Sequence, residues 1–473
     1  MNKLHKHAFS ELYDISSGLS STKEQAGHGA PFVSFSTVFN NYFLPDELPD
    51  LMDTSMADQE KYSVKRGDIL ITRTSETVDE LAMSCVALKD YPKATFSGFV
   101  KRLRPKEKST VYDKYMAFFL RSEYFRNVIN AKTIMTLRAS FNEDIFSYLD
   151  LYLPNYEEQV KIGDFLYSIE KKIQCNNTIN DNLQHQLNLL YNYWFTQFDF
   201  PDENGKPYRS SGGTMVWNKE LKCYIPKKWT SGSVSDCVEK ISTGLNPRDN
   251  FVLGNGNINY ITVKNLTTSG GLDFSGCDMI DEEARAIVHR RSDICIGDIL
   301  FASISPLGRC FLIQQEPTDW DINESVFSIR SKTDVITPEF LYLFFQSDNF
   351  IRKATNTSTG SIFKGIRIST LLDTQMIIPD IQICKKFTNA IKPLLAQINI
   401  YSSQNAKLSS LRDWLLPMLI NGQINFIDEQ QEIPIIKESG FKRWISNQGF
   451  AARGDVDMDV LRDIYEAMDN DDK

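Results

Sequence analysis

The sequence predicts an α+β fold: two similar domains of mixed strands and helices, separated by two long helices that pair as an antiparallel coiled coil, the halves being related by a pseudo-twofold. Three observations predict it. Five short motifs recur in the same order about 225 to 230 residues apart, a period far longer than that of a solenoid repeat and suited to a domain plus a connector. Each copy ends in apolar residues at alternating steps of three and four, the mark of a helix seam. The segments before those seams mix short β-like runs bounded by turn formers with aromatic-rich stretches at helical spacing.

The first domain covers residues 1–153. It carries Ile15-Ser16-Ser17-Gly18-Leu19, Phe32-Val33-Ser34, Gly67-Asp68-Ile69-Leu70, Phe119-Leu120-Arg121-Ser122-Glu123-Tyr124-Phe125 and, at its end, Leu151-Tyr152-Leu153-Pro154. Phe32 to Phe35 and Asp68 to Thr72 read as strands. Tyr115 to Val128 reads as a helix whose aromatics belong to a core rather than to a base-stacking surface. Residues 154–198 make the first spacer helix, with Ile162, Leu166, Ile169 and Ile173 on its seam, then polar Asn176 and Asn180, then Leu183, Leu187, Leu190 and Trp194.

Residues 199–380 hold a linker and the second domain. The linker, Asp199 to Gly213, is dense in turn formers. The motifs then return as Ile241-Ser242-Thr243-Gly244-Leu245, Tyr260-Ile261-Thr262, Gly297-Asp298-Ile299-Leu300, Phe344-Phe345-Gln346-Ser347-Asp348-Asn349-Phe350 and Met376-Ile377-Ile378-Pro379. Ile258 to Val263 and Asp298 to Ala302 read as strands, and Glu339 to Ile351 as a helix. Residues 381–427 make the second spacer helix through Phe387, Ile391, Leu394, Ile398, Tyr401, Asn405, Leu408, Leu411 and Leu415. Pro393 is expected to kink it, because proline removes an internal hydrogen bond. If the two helices, from about Glu157 to Phe198 and from Ile383 to Ile420, pair antiparallel, their central asparagines face each other and satisfy one another's amides. The other reading is two amphipathic helices, each lying on its own domain.

Residues 428–473 form an acidic tail, with twelve acidic residues against six basic. The tail therefore supplies −6 of the chain's net −9 and leaves −3 over both repeats. Near-neutral domains can still carry basic faces, so the total charge does not exclude nucleic acid. Val456, Val460, Leu461, Ile464, Tyr465 and Met468 fall near helical spacing, and their negative surroundings suit a protein surface better than a phosphate backbone.

Composition excludes several classes. With 42% hydrophobic and 24% charged residues, the chain has enough apolar content for two cores. It contains no run of about 18 apolar residues and no signal-like start, so no membrane role is expected and the cytoplasm is the expected location. Eight scattered cysteines without Cys-x-x-Cys read as reduced thiols. No phosphate loop, Gly-x-Ser-x-Gly elbow or His-Glu-x-x-His occurs, and the five histidines lack metal spacing. Leu153-Pro154-Asn155-Tyr156 departs from the Asn-Pro-Pro-Tyr type of base-holding motif, lacking its second proline and initial polar residue. No catalytic or metal-ligating residue is expected on this chain, and no cofactor.

Leu190-Tyr191-Asn192-Tyr193-Trp194-Phe195-Thr196-Gln197-Phe198-Asp199-Phe200-Pro201, followed by Ile225-Pro226-Lys227-Lys228-Trp229, resembles the specificity subunit of type I restriction-modification enzymes. Glu158-Gln159 after Leu153-Pro154, and Leu415-Leu416-Pro417-Met418-Leu419-Ile420-Asn421-Gly422-Gln423-Ile424, add to the resemblance, which spans about residues 9 to 427. In the second copy the Glu-Gln pair is degraded to Ile381-Gln382-Ile383-Cys384, which leaves the start of that helix open. The resemblance implies two target recognition domains, each reading half of a split double-stranded DNA site. It implies two methyltransferase subunits docked on the spacer helices and restriction (endonuclease/translocase) subunits joining them. S-adenosylmethionine, ATP and Mg would belong to those partners.

Base-reading residues are expected in loops with small polar or basic side chains just after the shared motifs, where arginine can pair with guanine and serine or threonine with bases or phosphates. These are Arg73, Thr74, Thr136, Arg138 and Ser140 in the first domain, and Ser303, Ser305, Ser361, Lys364 and Arg367 in the second. Two readings from other classes stand beside this one: a self-contained nuclease or methyltransferase with divergent motifs, and a freestanding DNA-binding regulator.

Overall fold

The computed structural model describes residues 4–75, 81–107, 109–132, 139–141, 143–268, 270–274, 276–357, 365–426 and 450–452. The chain divides into two compact units, one of Met1–Lys172 with Lys407–Lys473 and one of Ile173–Ala406. Both boundaries fall inside the spacer helices. Each unit thus contains a domain and a stretch of both helices.

The first unit holds a four-stranded antiparallel sheet in the order Tyr13–Ser17, Val100–Pro105, Ile69–Thr72, Ser84–Val86. A three-stranded sheet places Ala26–Val33 between antiparallel Asp50–Met52 and parallel Thr95–Phe96. The second unit repeats both. Val238–Thr243, Val326–Ser331, Ile299–Ala302 and Cys310–Leu312 form its four-stranded sheet. Ile258–Ile261 lies between antiparallel Asp278–Ile280 and parallel Trp320–Ile322. In both, a strand at the start of the domain pairs with the strand before the spacer helix: His5–Ala8 with Asp150–Leu153, and Thr230–Ser233 with Gln375–Ile378.

The repeated motifs are the joints of this shared topology. Gly18 and Gly244 lie where strands cross so closely that a Cβ would sit 2.1 Å from the Ser97 carbonyl oxygen and 1.6 Å from that of Ile322; only glycine fits. Gly67 and Gly297 both have φ near +89°, and the aspartate after each accepts a two-toothed arginine fork from the neighbouring strand. Arg104 donates Nε and Nη2 to Asp68 at 2.7 and 2.6 Å. Arg330 donates to Asp298 at 2.8 and 2.9 Å. Fixed forks of this kind are strong and geometrically specific, so Gly-Asp-Ile-Leu is a structural signature.

The aromatic-rich segments differ from the single helices expected. Each is two helices, Asp113–Phe119 and Glu123–Lys132, and Pro338–Gln346 and Asp348–Thr357. The shared serine makes the break. Ser122 donates its hydroxyl to the Phe119 carbonyl and accepts the Phe125 N–H, and Ser347 does the same with Phe344 and Phe350. A serine bonding backwards and forwards closes one helix and caps the next. Similarly, the strand expected over Phe32 to Phe35 stops at Val33, because Ser34 accepts the Thr37 N–H and caps the helix Phe35–Asn40.

The first spacer helix runs Tyr156–Tyr191 and continues as a π-helical turn, Asn192–Thr196; the second runs Ile381–Ile420. Asn155 opens the first by accepting the Glu158 N–H at 2.9 Å. Buried Gln159 ties it to the domain, accepting the Tyr112 N–H and donating to the Thr110 and Pro154 carbonyls. In the second copy Asp380 takes the cap, accepting the Gln382 N–H, and fully buried Cys384 fills the position of Gln159. The start that the altered pair left open falls at Ile381. The second spacer helix runs through exposed Pro393 as one helix. Its buried seam runs Ile391, Leu395, Ile398 rather than through Leu394, which is only half-buried.

Contacts between the helices are antiparallel in each unit. In the first, Glu170 pairs with Arg412 at 2.8 Å, both side chains nearly buried. In the second, Asn176 Nδ2 donates to Asn405 Oδ1 at 2.9 Å and to Gln404 Oε1 at 3.2 Å, Asn405 Nδ2 to Asn177 Oδ1 at 2.7 Å, and Asn180 Nδ2 to Ser402 Oγ at 3.2 Å. Further on, Trp194 and Phe195 pack on Phe387, and Phe195 meets Phe340 edge-on at 4.5 Å. The aromatic run Tyr191 to Phe200 is thus core of the second unit, joined by Trp229 from the start of that domain. Ile424–Phe426 pairs antiparallel with Phe450–Ala452; the helix expected within Asp455 to Asp472 lies outside the described residues.

Candidate nucleic-acid interface

In the first unit the strand Ile69–Thr72 delivers the chain into Arg73-Thr74-Ser75. The Arg73 N–H donates to the Phe99 carbonyl at 2.8 Å, and the Arg73 carbonyl accepts the Phe141 N–H at 2.8 Å. Thr74 stands opposite Ser140 and Ser75 opposite Ala139 in a short antiparallel ladder. Three segments, 73–75, 97–99 and 139–141, therefore meet in one clasp. Arg73 is exposed and Thr74 half-buried on its rim. The structure brings Arg73, Thr74 and Ser140 together, while Thr136 and Arg138 lie outside the described residues.

The second unit builds the same clasp from different side chains. The Ser303 N–H donates to the Ser325 carbonyl at 3.1 Å, the Ile366 N–H donates to the Ser303 carbonyl at 2.9 Å, and Ile304 bridges Gly365. A Cβ on Gly365 would lie 3.2 Å from the Ser303 oxygen, so the small residue allows the approach. Ser303 is buried, with its hydroxyl donated to the Ser325 carbonyl at 2.6 Å. It holds the clasp and offers no free hydroxyl. Ser305 and Arg367 are exposed beside it, Arg367 immediately before the helix Ile368–Leu372. Ser361 and Lys364 lie outside the described residues.

Both clasps rest on buried ion pairs rather than free charge. Asp68 and Asp298 are almost wholly buried at the starts of the strands that feed Arg73 and Ser303. The hydrogen bonds that Arg104 and Arg330 donate to Asp68 and Asp298 raise the pKa of both arginines above the ordinary guanidinium value. Each arginine is held by its aspartate across the sheet. Lys101, beside the first clasp, is buried too, donating to Ser17 Oγ at 2.9 Å and lying 3.6 Å from Glu143 Oε1. Among the described predicted residues, the exposed cations on these rims are Arg73 and Arg367.

Sequence reasoning missed the turn Ser97-Gly98-Phe99. It reaches Arg73 by a hydrogen bond 26 residues away in sequence, and no local pattern announces it. Aligning the two repeats in space would have found it, since Phe99 and Ser325 accept the same backbone bond. Among the described residues no group of three or more side chains suited to a metal ion occurs, and no helix is long and apolar enough to cross a membrane. The geometry offers two rigid, similarly built loop clusters with divergent polar rims, an arrangement for recognition through side chains that can vary while their scaffold does not.

Comparison with known proteins bears on what such clusters recognise. The profile of the family described as type I restriction modification DNA specificity domain matches residues 8–185 and again 226–410. The chain is 23% identical over 435 residues to the type I restriction enzyme MjaIX specificity subunit of Methanocaldococcus jannaschii, covering 85% of this chain and 91% of that protein. It is 22% identical over 453 residues to the HindI specificity subunit of Haemophilus influenzae, covering 83% and 94%. A solved S subunit of a type I restriction-modification system from M. genitalium covers 89% of this chain and 96% of its own, at 13% identity and a TM-score of 0.49.

Proposed function

The chain belongs to the family of type I restriction modification DNA specificity domains, and on that premise we propose that it reads a bipartite double-stranded DNA site, one half per unit. It is a specificity subunit, the DNA-recognising and non-catalytic member of a restriction-modification complex. Two methyltransferase subunits dock on the spacer helices, one for each repeat, and restriction subunits complete the assembly. S-adenosylmethionine, ATP and Mg act on those partners. The complex works in the cytoplasm, where the DNA is.

The observation that supports this reading best is the clasp built twice. Two copies of one hydrogen-bonded scaffold carry different rims, Arg73 and Thr74 in one, Ser305 and Arg367 in the other. A shared frame with distinct side chains suits a partner with two similar halves of different sequence. Base edges supply the sequence information and phosphates the positioning.

The test is to express the chain with its methyltransferase subunit in cells lacking other adenine methylation and map the modified bases. The expected result is one split motif with a constant gap. The purified chain alone should neither methylate DNA with S-adenosylmethionine nor cleave it with magnesium. Activity in the chain alone would overturn the assignment, as would methylation without a split motif.

A further inference from the structure

The turn that completes the first clasp carries a large apolar side chain where the second carries a hydroxyl. Phe99 is 62% exposed. Single exposed apolar residues are common, but this one sits on a backbone pinned from every side. Its N–H donates to Ser97 Oγ at 3.2 Å, its carbonyl accepts the Arg73 N–H at 2.8 Å, and Gly98 before it donates to the Leu19 carbonyl at 2.7 Å. Val100 after it pairs with Thr72 in the sheet. The ring therefore stands out from a fixed point beside Arg73, Thr74 and Ser140, without the loop mobility that would let it fold back on the protein.

Resting on the reading of the chain as a DNA-specificity subunit, we propose that Phe99 is a specificity-determining residue of the first domain, its ring packing on the 5-methyl group of a thymine in the first half-site. In the major groove every other distinguishing group on a base edge is a hydrogen-bond donor or acceptor, and the thymine methyl is the apolar one. A phenyl ring held there selects an A·T pair in one orientation by apolar contact. Arg73, next to it, supplies a charge for a guanine edge or a phosphate. At the equivalent position the second domain has Ser325, which accepts the same backbone bond from Ser303. A hydroxyl stands there in place of a ring, so the two halves differ in kind at this one position.

The experiment uses the complete complex with its methyltransferase subunits and synthetic duplexes bearing the mapped site, with thymine replaced by uracil one position at a time. For the wild-type complex, removing one particular methyl group in the first half-site should weaken binding about four-fold, which corresponds to ~0.8 kcal/mol for one buried methyl-sized group. Phe99→Ser should bind the thymine duplex about four-fold more weakly and lose nothing further on the uracil duplex, while Phe99→Leu keeps part of the preference. Uracil in the second half-site should affect all three complexes alike, which also shows that the variants are folded. Equal sensitivity of wild type and F99S at every first-half position overturns the role of Phe99 alone. A wild-type complex that does not prefer the mapped duplex to a scrambled one overturns the specificity reading and the assignment with it.

Discussion

Replacing Asn405 with leucine should destabilise the second unit, and replacing Asn176 as well should restore it. Asn176 is wholly buried, and its Nδ2 loses its shorter bond, the 2.9 Å contact to Asn405 Oδ1, in the single variant. Asn177 Oδ1 loses its 2.7 Å donor at the same time. Leaving a buried donor short of its partner costs about 1–3 kcal/mol. With a urea slope of about 3 kcal/mol/M, a loss of ~2 kcal/mol moves the unfolding midpoint by about 0.7 M. The double variant is different because Asn176 Oδ1 already lies buried without a hydrogen-bond partner. Leucine at both positions removes that orphan together with the stranded donor and adds apolar packing. Its midpoint should return to the wild-type value or exceed it, as replacement of a whole buried polar set often does. Urea titrations of the four proteins in a double-mutant cycle provide the assay. Costs that simply add in the double variant would refute the argument that these asparagines are coupled across the helix pair and trade stability for register.

Other outcomes follow from the same geometry. Asp298→Ala takes the fork from Arg330, which keeps only its contacts with Asp293, and should cost the second unit about 1–3 kcal/mol, read by urea unfolding. Gly244→Ala puts a Cβ 1.6 Å from the Ile322 oxygen and should abolish soluble folded protein, whereas Gly205→Ala, with open space around it, should express normally, although its φ of +74° carries some strain. The Ser210 hydroxyl and N–H hold the Asp199 carboxyl below its usual range. A depressed folded value means the stabilisation is complete above the unfolded pKa near ~4 and is lost as pH falls through the folded value. The stability gap between wild type and Asp199→Asn, measured by thermal unfolding from pH 7 to pH 3, should therefore narrow only at the acid end. Burial pushes the Cys85 and Cys384 thiols up to about 12, so iodoacetamide at pH 8 should label exposed Cys175 well before either, as mass spectrometry would show.

Local chemistry made much of the architecture legible. Glycine at a strand crossing, aspartate beneath an arginine fork and serine between helices are needs of single positions, so they recur as motifs even where the rest has diverged. The antiparallel helices were readable from their seams because a central polar break in each has meaning only opposite the other. The seam lost phase at Leu394-Leu395, where adjacent leucines leave the choice to tertiary packing. The paired helices around Ser122 and Ser347 look continuous in sequence because apolar periodicity is blind to a capping serine. The clasp was half legible. Arg73, Thr74 and Ser140 were reachable by their position after shared motifs, but Phe99 joins them by a backbone bond between distant segments, and buried Ser303 shows that a small polar residue in such a loop can be scaffold.

The central claim is that each unit reads its own half of a split site. Exchanging residues 1–153 for the first domain of a relative with a different site, and mapping methylated bases for the chimeric complex in cells, tests it most directly. One half of the motif should change to that of the donor, with the other half and the gap unchanged. A change in both halves, or in neither, would contradict the account.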